Sequence, residues 1–210
     1  MDVLVMAGGK GERMGGIEKP MLLLCGKPLI SYVLEALSKS SSIGKIYVAV
    51  SPSVPQTSDY IKKWPDKRVS IIMTPGSGYI EDMAFAVRAL GHREPLLVVS
   101  ADLPLITPAI IESVISEYHR CGKEALSVRL EAHGASSRQD LILSDTGALT
   151  IPAGINVVHG AHIDRAQDEY VLILDDPSLA ANVNYRKDLT YCEQIFAGKH
   201  GEDERRHLRE

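Results

Sequence analysis

A short apolar run, Val3-Leu4-Val5-Met6, breaks into Ala7-Gly8-Gly9-Lys10-Gly11, and Arg13, Lys19 and Pro20 follow within one loop length. A buried strand that ends in glycines lets backbone N–H groups approach phosphate oxygens with no Cβ in the way. Cations in the same loop add the charge a polyphosphate demands. Ala7, Gly8, Gly9, Lys10, Gly11, Arg13 and Lys19 are therefore candidate phosphate-binding residues. Two commoner motifs do not fit. The dinucleotide fingerprint G-x-G-x-x-G fails because Met14 holds the place of its third glycine. The P-loop spacing exists between Gly11 and Gly16, but Ile17 and Glu18 stand where Lys and Ser/Thr belong. The competing reading, a glycine turn without ligand, leaves the joint presence of Arg13 and Lys19 without a purpose.

A second chemical position is Asp102, which ends the run Leu96-Leu97-Val98-Val99-Ser100-Ala101. Ligands of open α/β sheets sit outside the carboxyl ends of the strands. A carboxylate there can hold Mg²⁺, a hard cation that prefers oxygen ligands and keeps several waters. The bland alternative is a cap for the turn before Leu103-Pro104. The segment Thr74-Pro75-Gly76-Ser77-Gly78 also follows an apolar run, which puts it beside the base of a bound nucleotide. The histidines carry little: His159 and His162 have no Cys, Asp or Glu upstream at zinc-ligand spacing. No G-x-S-x-G elbow and no Cys–His pair suggests a covalent nucleophile.

The elements that must position these residues follow the periodicity. Strands are expected at Val3–Met6, Ile46–Val50, Val69–Met73 and Leu96–Val99. Helices are expected over Pro28–Ser38, Ser58–Trp64, Tyr79–Leu90 (Ile80, Met83, Val87 and Leu90 inward) and Pro108–Tyr118. This alternation predicts a doubly wound, mostly parallel sheet through about residue 120. Beyond it, Ala125–Leu130, Leu141–Leu143, Ile155–Val158 and Tyr170–Leu174 read as further strands. They extend the sheet into a lid or acceptor wall, with Gly154 of Pro152-Ala153-Gly154 just before the third of them, where a glycine permits close backbone approach and the bland alternative is a tight loop. A last helix is expected from Arg186 to Phe196.

With 210 residues, the chain suffices for one α/β domain, here residues 1–197, followed by a charged, disordered tail over 198–210. A net charge of −4 argues against nucleic acid as a partner. No apolar run reaches the length of a membrane span, and Met1-Asp2 leads straight into the first strand with no signal peptide. The 3 scattered cysteines fit a reducing cytoplasm. A homodimer is the expected oligomeric state.

The run AGGKGERMGG…KPML resembles the signature of single-domain, Rossmann-like nucleotidyltransferases of the nucleotide-diphospho-sugar transferase type, which include sugar-phosphate nucleotidyltransferases and the molybdenum cofactor guanylyltransferases. Four stretches, MAGGKGERMGGIEKP, GSGYIEDM, VVSADL and IPAGINVV, resemble the archaeal adenosylcobinamide-phosphate guanylyltransferases and spread over most of residues 1 to 190. The resemblance implies transfer of GMP from GTP to a phosphorylated cobinamide, with Mg²⁺ as cofactor. It gives Lys19, Arg13 and Asp102 the catalytic roles and places the metal on Asp102. Asn184, in Asn182-Val183-Asn184, becomes the second metal ligand, with turn hydrogen bonding as the alternative. Thr74, Gly76, Ser77 and Gly78 fall near the base, and Glu81 and Asp82 become acceptors for guanine N1–H and N2–H₂. Which of those two serves stays open, as does a simpler role in favouring the helix dipole. Gly154 and Asn156 border the acceptor side. The alternatives are a molybdopterin guanylyl- or cytidylyltransferase, another NTP:phosphate nucleotidyltransferase or, from a different class, a non-catalytic GTP-binding sensor.

Overall fold

The computed structural model describes residues 1–9, 11, 16–132, 141–143, 147–176, 178–179, 183 and 188–196. Along the chain run β1 (Asp2–Met6), the two short strands β2 (Leu23–Leu24) and β3 (Lys27–Pro28), α1 (Leu29–Lys39), β4 (Ile46–Val50), α2 (Pro55–Ile61), β5 (Val69–Met73), α3 (Tyr79–Leu90), β6 (Pro95–Ser100), α4 (Pro108–Cys121), β7 (Ala125–Glu131), β8 (Ile142–Leu143), β9 (Leu149–His159) and β10 (Glu169–Ile173). Residues 188–196 are helical, and the tail lies outside the described residues.

Alternation on the strands divides the interior in two. Val3 and Val5 of β1 and Leu97 and Val99 of β6 enter one apolar cluster with Ile30, Val33, Leu34 and Leu37 of α1 and Ile111 and Val114 of α4. Leu4, Leu96 and Val98 point the other way, onto Met83, Ala86 and Val87 of α3. Both faces of the parallel strands are covered, so those strands read as continuous apolar runs. The sheet order is β10-β7-β9-β6-β1-β4-β5, with β8 on β9. β5, β4, β1 and β6 are mutually parallel, as expected for the doubly wound half. β9 enters antiparallel between β6 and β7.

Three expectations are corrected by this packing. Pro152-Ala153-Gly154 is no loop: it lies inside β9, where Gly154 adopts φ 74° and the pairing with β7 shifts register between Ser127 and Arg129. That is a β-bulge, which a glycine in the left-handed region accommodates. On α3, Ile80 is 63% exposed, whereas Asp82 is buried with Met83, Ala86 and Val87. The helix is rotated because the Asp82 carboxylate satisfies two loop amides. α2 starts at Pro55 rather than Ser58, since proline suits the first helical turn.

Two polar clamps tie connections to the layers. Glu18 is buried and accepts hydrogen bonds from the N–H groups of Gln56 (2.9 Å) and Thr57 (2.7 Å) and the Thr57 hydroxyl (2.8 Å), capping α2 from outside that helix. Glu112 of α4 accepts from the Ser40 hydroxyl (2.6 Å), the Ser42 N–H (3.1 Å) and the Ser42 hydroxyl, fixing the turn after α1. The hydroxyls of Ser40 and Ser42, then the Ser42 amide, hold the Glu112 pKa down to about 2. A carboxylate whose folded pKa is depressed contributes stability that is present above its unfolded value and lost as pH falls through the folded one. Wild type should therefore exceed Glu112→Gln in unfolding free energy near neutrality. The gap should close between about pH 5 and pH 2 in denaturant titrations, and a gap independent of pH would contradict this account.

Candidate nucleotide-binding site

Chain order reverses between β1 and β6, the neighbours at the centre of the parallel strands, with Met6 opposite Ser100. A crevice outside the carboxyl ends of strands forms at such a switch point. A cavity of about 660 Å³ opens there, lined by Met6 to Gly9 and Gly11, by Lys19 and Pro20, by Thr74, Gly76 to Tyr79 and Asp82, and by Ser100 to Asp102.

The glycine loop is held from beneath. The Ala7 N–H donates to Ala49 O (2.9 Å), and the Ser51 hydroxyl donates to Gly8 O (2.7 Å). A Cβ on Gly8 would lie 3.2 Å from Ser51 N. Gly11 takes φ 62°, and a Cβ there would lie 2.1 Å from Ile17 O, so no larger residue fits. Lys10 and Arg13 lie outside the described residues. The chain then returns through Glu18, clamped on α2, to Lys19 and Pro20 in a single 3₁₀ turn. Clamping Glu18 thus sets where Lys19 can reach.

Lys19 Nζ and Asp102 Oδ2 form an ion pair across the crevice, their side chains 19% and 16% exposed. Asp102 Oδ1 is buried and has no hydrogen-bond partner among the described residues. A buried carboxylate oxygen left without a partner is costly unless something positive or protic completes it. The donor set suits a hard cation that takes few protein oxygens and leaves the rest to phosphates and water. Among the described residues no cluster of three or more His, Cys, Asp or Glu could hold a metal by itself. Asn184 lies outside the described residues.

On the opposite wall, the N–H groups of Gly76 and Ser77 donate to Asp82 Oδ1 at 3.0 and 3.1 Å. Asp82 borders the cavity as an organiser of that loop. Thr74 is fixed through its N–H to Val50 O (2.8 Å). Glu81 is exposed and does not line the cavity, though its Oε2 sits where a Gly78 side chain would begin. Gly154 and Asn156 lie behind Ser100 on β9 and outside the cavity lining.

Tyr79, Ser100, Ser51 and Glu18 escaped the sequence reading as site residues. Tyr79 follows Gly78 at the start of α3, and its hydroxyl bonds the side chains of Ser100 and Asn156. Although 40% of Tyr79 is exposed, its hydroxyl end is desolvated. That burial, with a lesser push from the charge of Asp102, raises its pKa to about 12, against the bonds to Ser100 and Asn156. The phenol therefore remains a neutral group at ordinary pH. Its position in the GSGYIEDM stretch was the available signal.

A glycine loop and a cation–carboxylate pair lining one cavity at an α/β switch point suit a nucleotide and its phosphates. Residues 3–181 match the MobA-like NTP transferase domain, and the chain belongs to that family. It is 40% identical over 205 residues to the adenosylcobinamide-phosphate guanylyltransferase of Methanocaldococcus jannaschii, covering 93% of this chain and 97% of that one. A probable molybdenum cofactor guanylyltransferase of Thermococcus gammatolerans is 31% identical over 129 residues, 60% of this chain and 61% of that one. The fold is that of molybdopterin-guanine dinucleotide biosynthesis protein A from Archaeoglobus fulgidus, with a TM-score of 0.66 at 20% identity over 94% and 100% of the two chains. CMP:2-keto-3-deoxy-manno-octonic acid synthetase, solved with CTP, gives a TM-score of 0.69 at 13% identity over 94% and 99%. Among the described residues no helix is long and apolar enough to cross a membrane.

Gly11→Ala is the sharpest test of the loop. An alanine forced into the left-handed region costs about 1–2 kcal/mol before the clash with Ile17 O is counted. Calorimetry with nucleoside triphosphates should show affinity weakened by about tenfold or more. Unchanged affinity would remove the loop from the binding site.

Proposed function

We propose that this nucleotidyltransferase moves GMP from GTP to the phosphate of adenosylcobinamide phosphate, releasing pyrophosphate. One observation carries the reaction chemistry: the Lys19–Asp102 pair at the crevice, beside a glycine loop built for phosphates. The choice of donor and acceptor rests on the Methanocaldococcus relative, which matches nearly end to end. The Thermococcus relative supports a second reading, guanylyl transfer to a molybdopterin, over a smaller part of the chain.

In this reading an oxygen of the acceptor phosphate forms a bond to the α-phosphorus of GTP, and the bond from that phosphorus to the β-phosphate bridging oxygen breaks. A phosphomonoester has its second pKa near 6, so the attacking group is already a dianion at neutral pH and needs no general base. The amides of Gly8, Gly9 and Gly11 hold the β- and γ-phosphates and then pyrophosphate, and Arg13 and Lys10 assist them. Lys19 neutralises charge on the α-phosphoryl oxygens, where a preorganised cation acts most strongly. Asp102, with Asn184 as a second oxygen, would hold Mg²⁺, whose charge further neutralises the phosphates when bound. Of the two candidate carboxylates Asp82 borders the cavity and Glu81 does not, so we assign Asp82 the guanine N1–H and N2–H₂. We place the enzyme in the cytoplasm, as a homodimer.

Calorimetry with GTP, ATP, CTP and UTP in Mg²⁺, followed by pyrophosphate release with cobinamide phosphate, tests the proposal. Selective GTP binding and turnover are expected. Lys19→Ala and Asp102→Ala should each lower kcat by about 10²-fold or more, the usual loss of one transition-state contact. Near wild-type turnover in either would sink the assignment. GTP binding without pyrophosphate release would identify a sensor, and turnover confined to molybdopterin would favour the second reading.

A further inference from the structure

β1, β6 and β9 lie side by side in that order. β1 leads into the glycine loop, β6 leads into Asp102, and β9 carries Gly154 and Asn156. In displacement at phosphorus the attacking and leaving oxygens lie roughly in line, on opposite sides of the reacting centre. With the leaving pyrophosphate over β1 and the α-phosphorus beside Asp102, the attacking phosphate comes from the β9 side.

Tyr79 spans the seam on that side. Its hydroxyl bonds Ser100 of β6 and Asn156 of β9, and its half-exposed ring lines the cavity. Asn156 is locked in register opposite Val98 and Ser127. Gly154 makes room for this arrangement: a Cβ there would lie 3.0 Å from Ser100 Oγ and 3.1 Å from its Cβ. Ser100 thus keeps the rotamer from which it meets the phenol. Two strands and a helix start meet at a tyrosine to which the nucleotide reading gives no task.

We propose that Tyr79 is an acceptor-contact residue: its ring, pinned through the hydroxyl by Ser100 and Asn156, forms the wall along which the phosphate-bearing chain of the acceptor lies for in-line attack. This rests on the reading of the site as a transferase acting on cobinamide phosphate. It separates the two substrate sides at α3, with Gly76 to Gly78 facing the nucleotide and Tyr79 facing the acceptor.

Steady-state pyrophosphate release by the full chain tests it, with cobinamide phosphate varied at saturating GTP and then the reverse. Tyr79→Phe should raise the acceptor KM by about threefold to tenfold, the scale of one neutral hydrogen bond. Tyr79→Ala should raise it further, while KM and Kd for GTP stay within about twofold of wild type. Asn156→Ala should reproduce Tyr79→Phe, and the double variant should add little, since both break the same contact. Melting curves check folding, and Tyr79→Phe carries the test where Tyr79→Ala does not fold. A weakened GTP Kd with unchanged acceptor KM overturns the assignment, as do unaltered kinetics in Tyr79→Ala. Those results arise with an active wild type and leave the proposed reaction standing. A wild type that does not turn over cobinamide phosphate overturns the reaction, and this inference with it.

Discussion

The ion pair between Lys19 and Asp102 is the contact on which the site depends. Its partners come from different strands, one from the loop after β1 and the other from the end of β6. Both are mostly withdrawn from water, so each charge supports the other, and removing Lys19 would leave the Asp102 carboxylate in a poorly solvated place. The pair also leaves this part of the crevice charge-balanced. In the proposed reaction a polyphosphate would take the lysine while a cation takes the carboxylate, so that neither charge would be left bare.

Both partners are braced by the same distant segment. The Val183 N–H donates to Asp102 O at 3.1 Å. Nearby, Cys192 joins Val183, Leu24, Leu29 and Leu105 in an apolar cluster, with Leu189, Ile195 and Phe196 against it. Leu24 and Leu29 belong to the chain just after Lys19, and Leu105 follows Asp102. Burial of this cluster therefore couples the two sides of the crevice through the C-terminal helix. The hairpin between them turns at Cys25-Gly26, both at positive φ, as a tight two-residue turn requires. Burial lifts the Cys192 pKa to about 11, so this thiol serves packing and not chemistry.

Much of this was legible in the sequence because it is local. A strand, its period-two alternation and the loop that ends it are all written within a dozen residues, so the glycine loop, Asp102 and the parallel half of the sheet could be read directly. Non-local pairings could not. Nothing near Pro152-Ala153-Gly154 announces that β9 runs through it, since the bulge exists only against β7. The inward turn of Asp82 depends on two amides left unpaired by the Gly76-Ser77 loop. Likewise Glu18 finds its role on the amides of α2, and Tyr79 finds its partners on two strands far along the chain.

The insertion of β9 gives the sheet the side on which the proposed acceptor would lie. A right-handed crossover from β6 through α4 ordinarily lays the next strand directly beside β6. Here β7 lands one place further out and leaves a slot for a reversed strand. A parallel strand in that slot would offer a loop at the active-site end. An antiparallel one instead begins there, so its first residues rise past Val99, the last β6 residue it pairs with, as ordered strand. β8 pairs with that rising portion and leaves Leu143 and Leu149 exposed on it, apolar surface at the same end of the sheet as Asp102. Strands hold a contact surface more rigidly than loops do. The bulge at Gly154 then bends this strand where it passes Ser100, and under the proposed reaction one glycine would set the backbone geometry on the acceptor's side of the crevice.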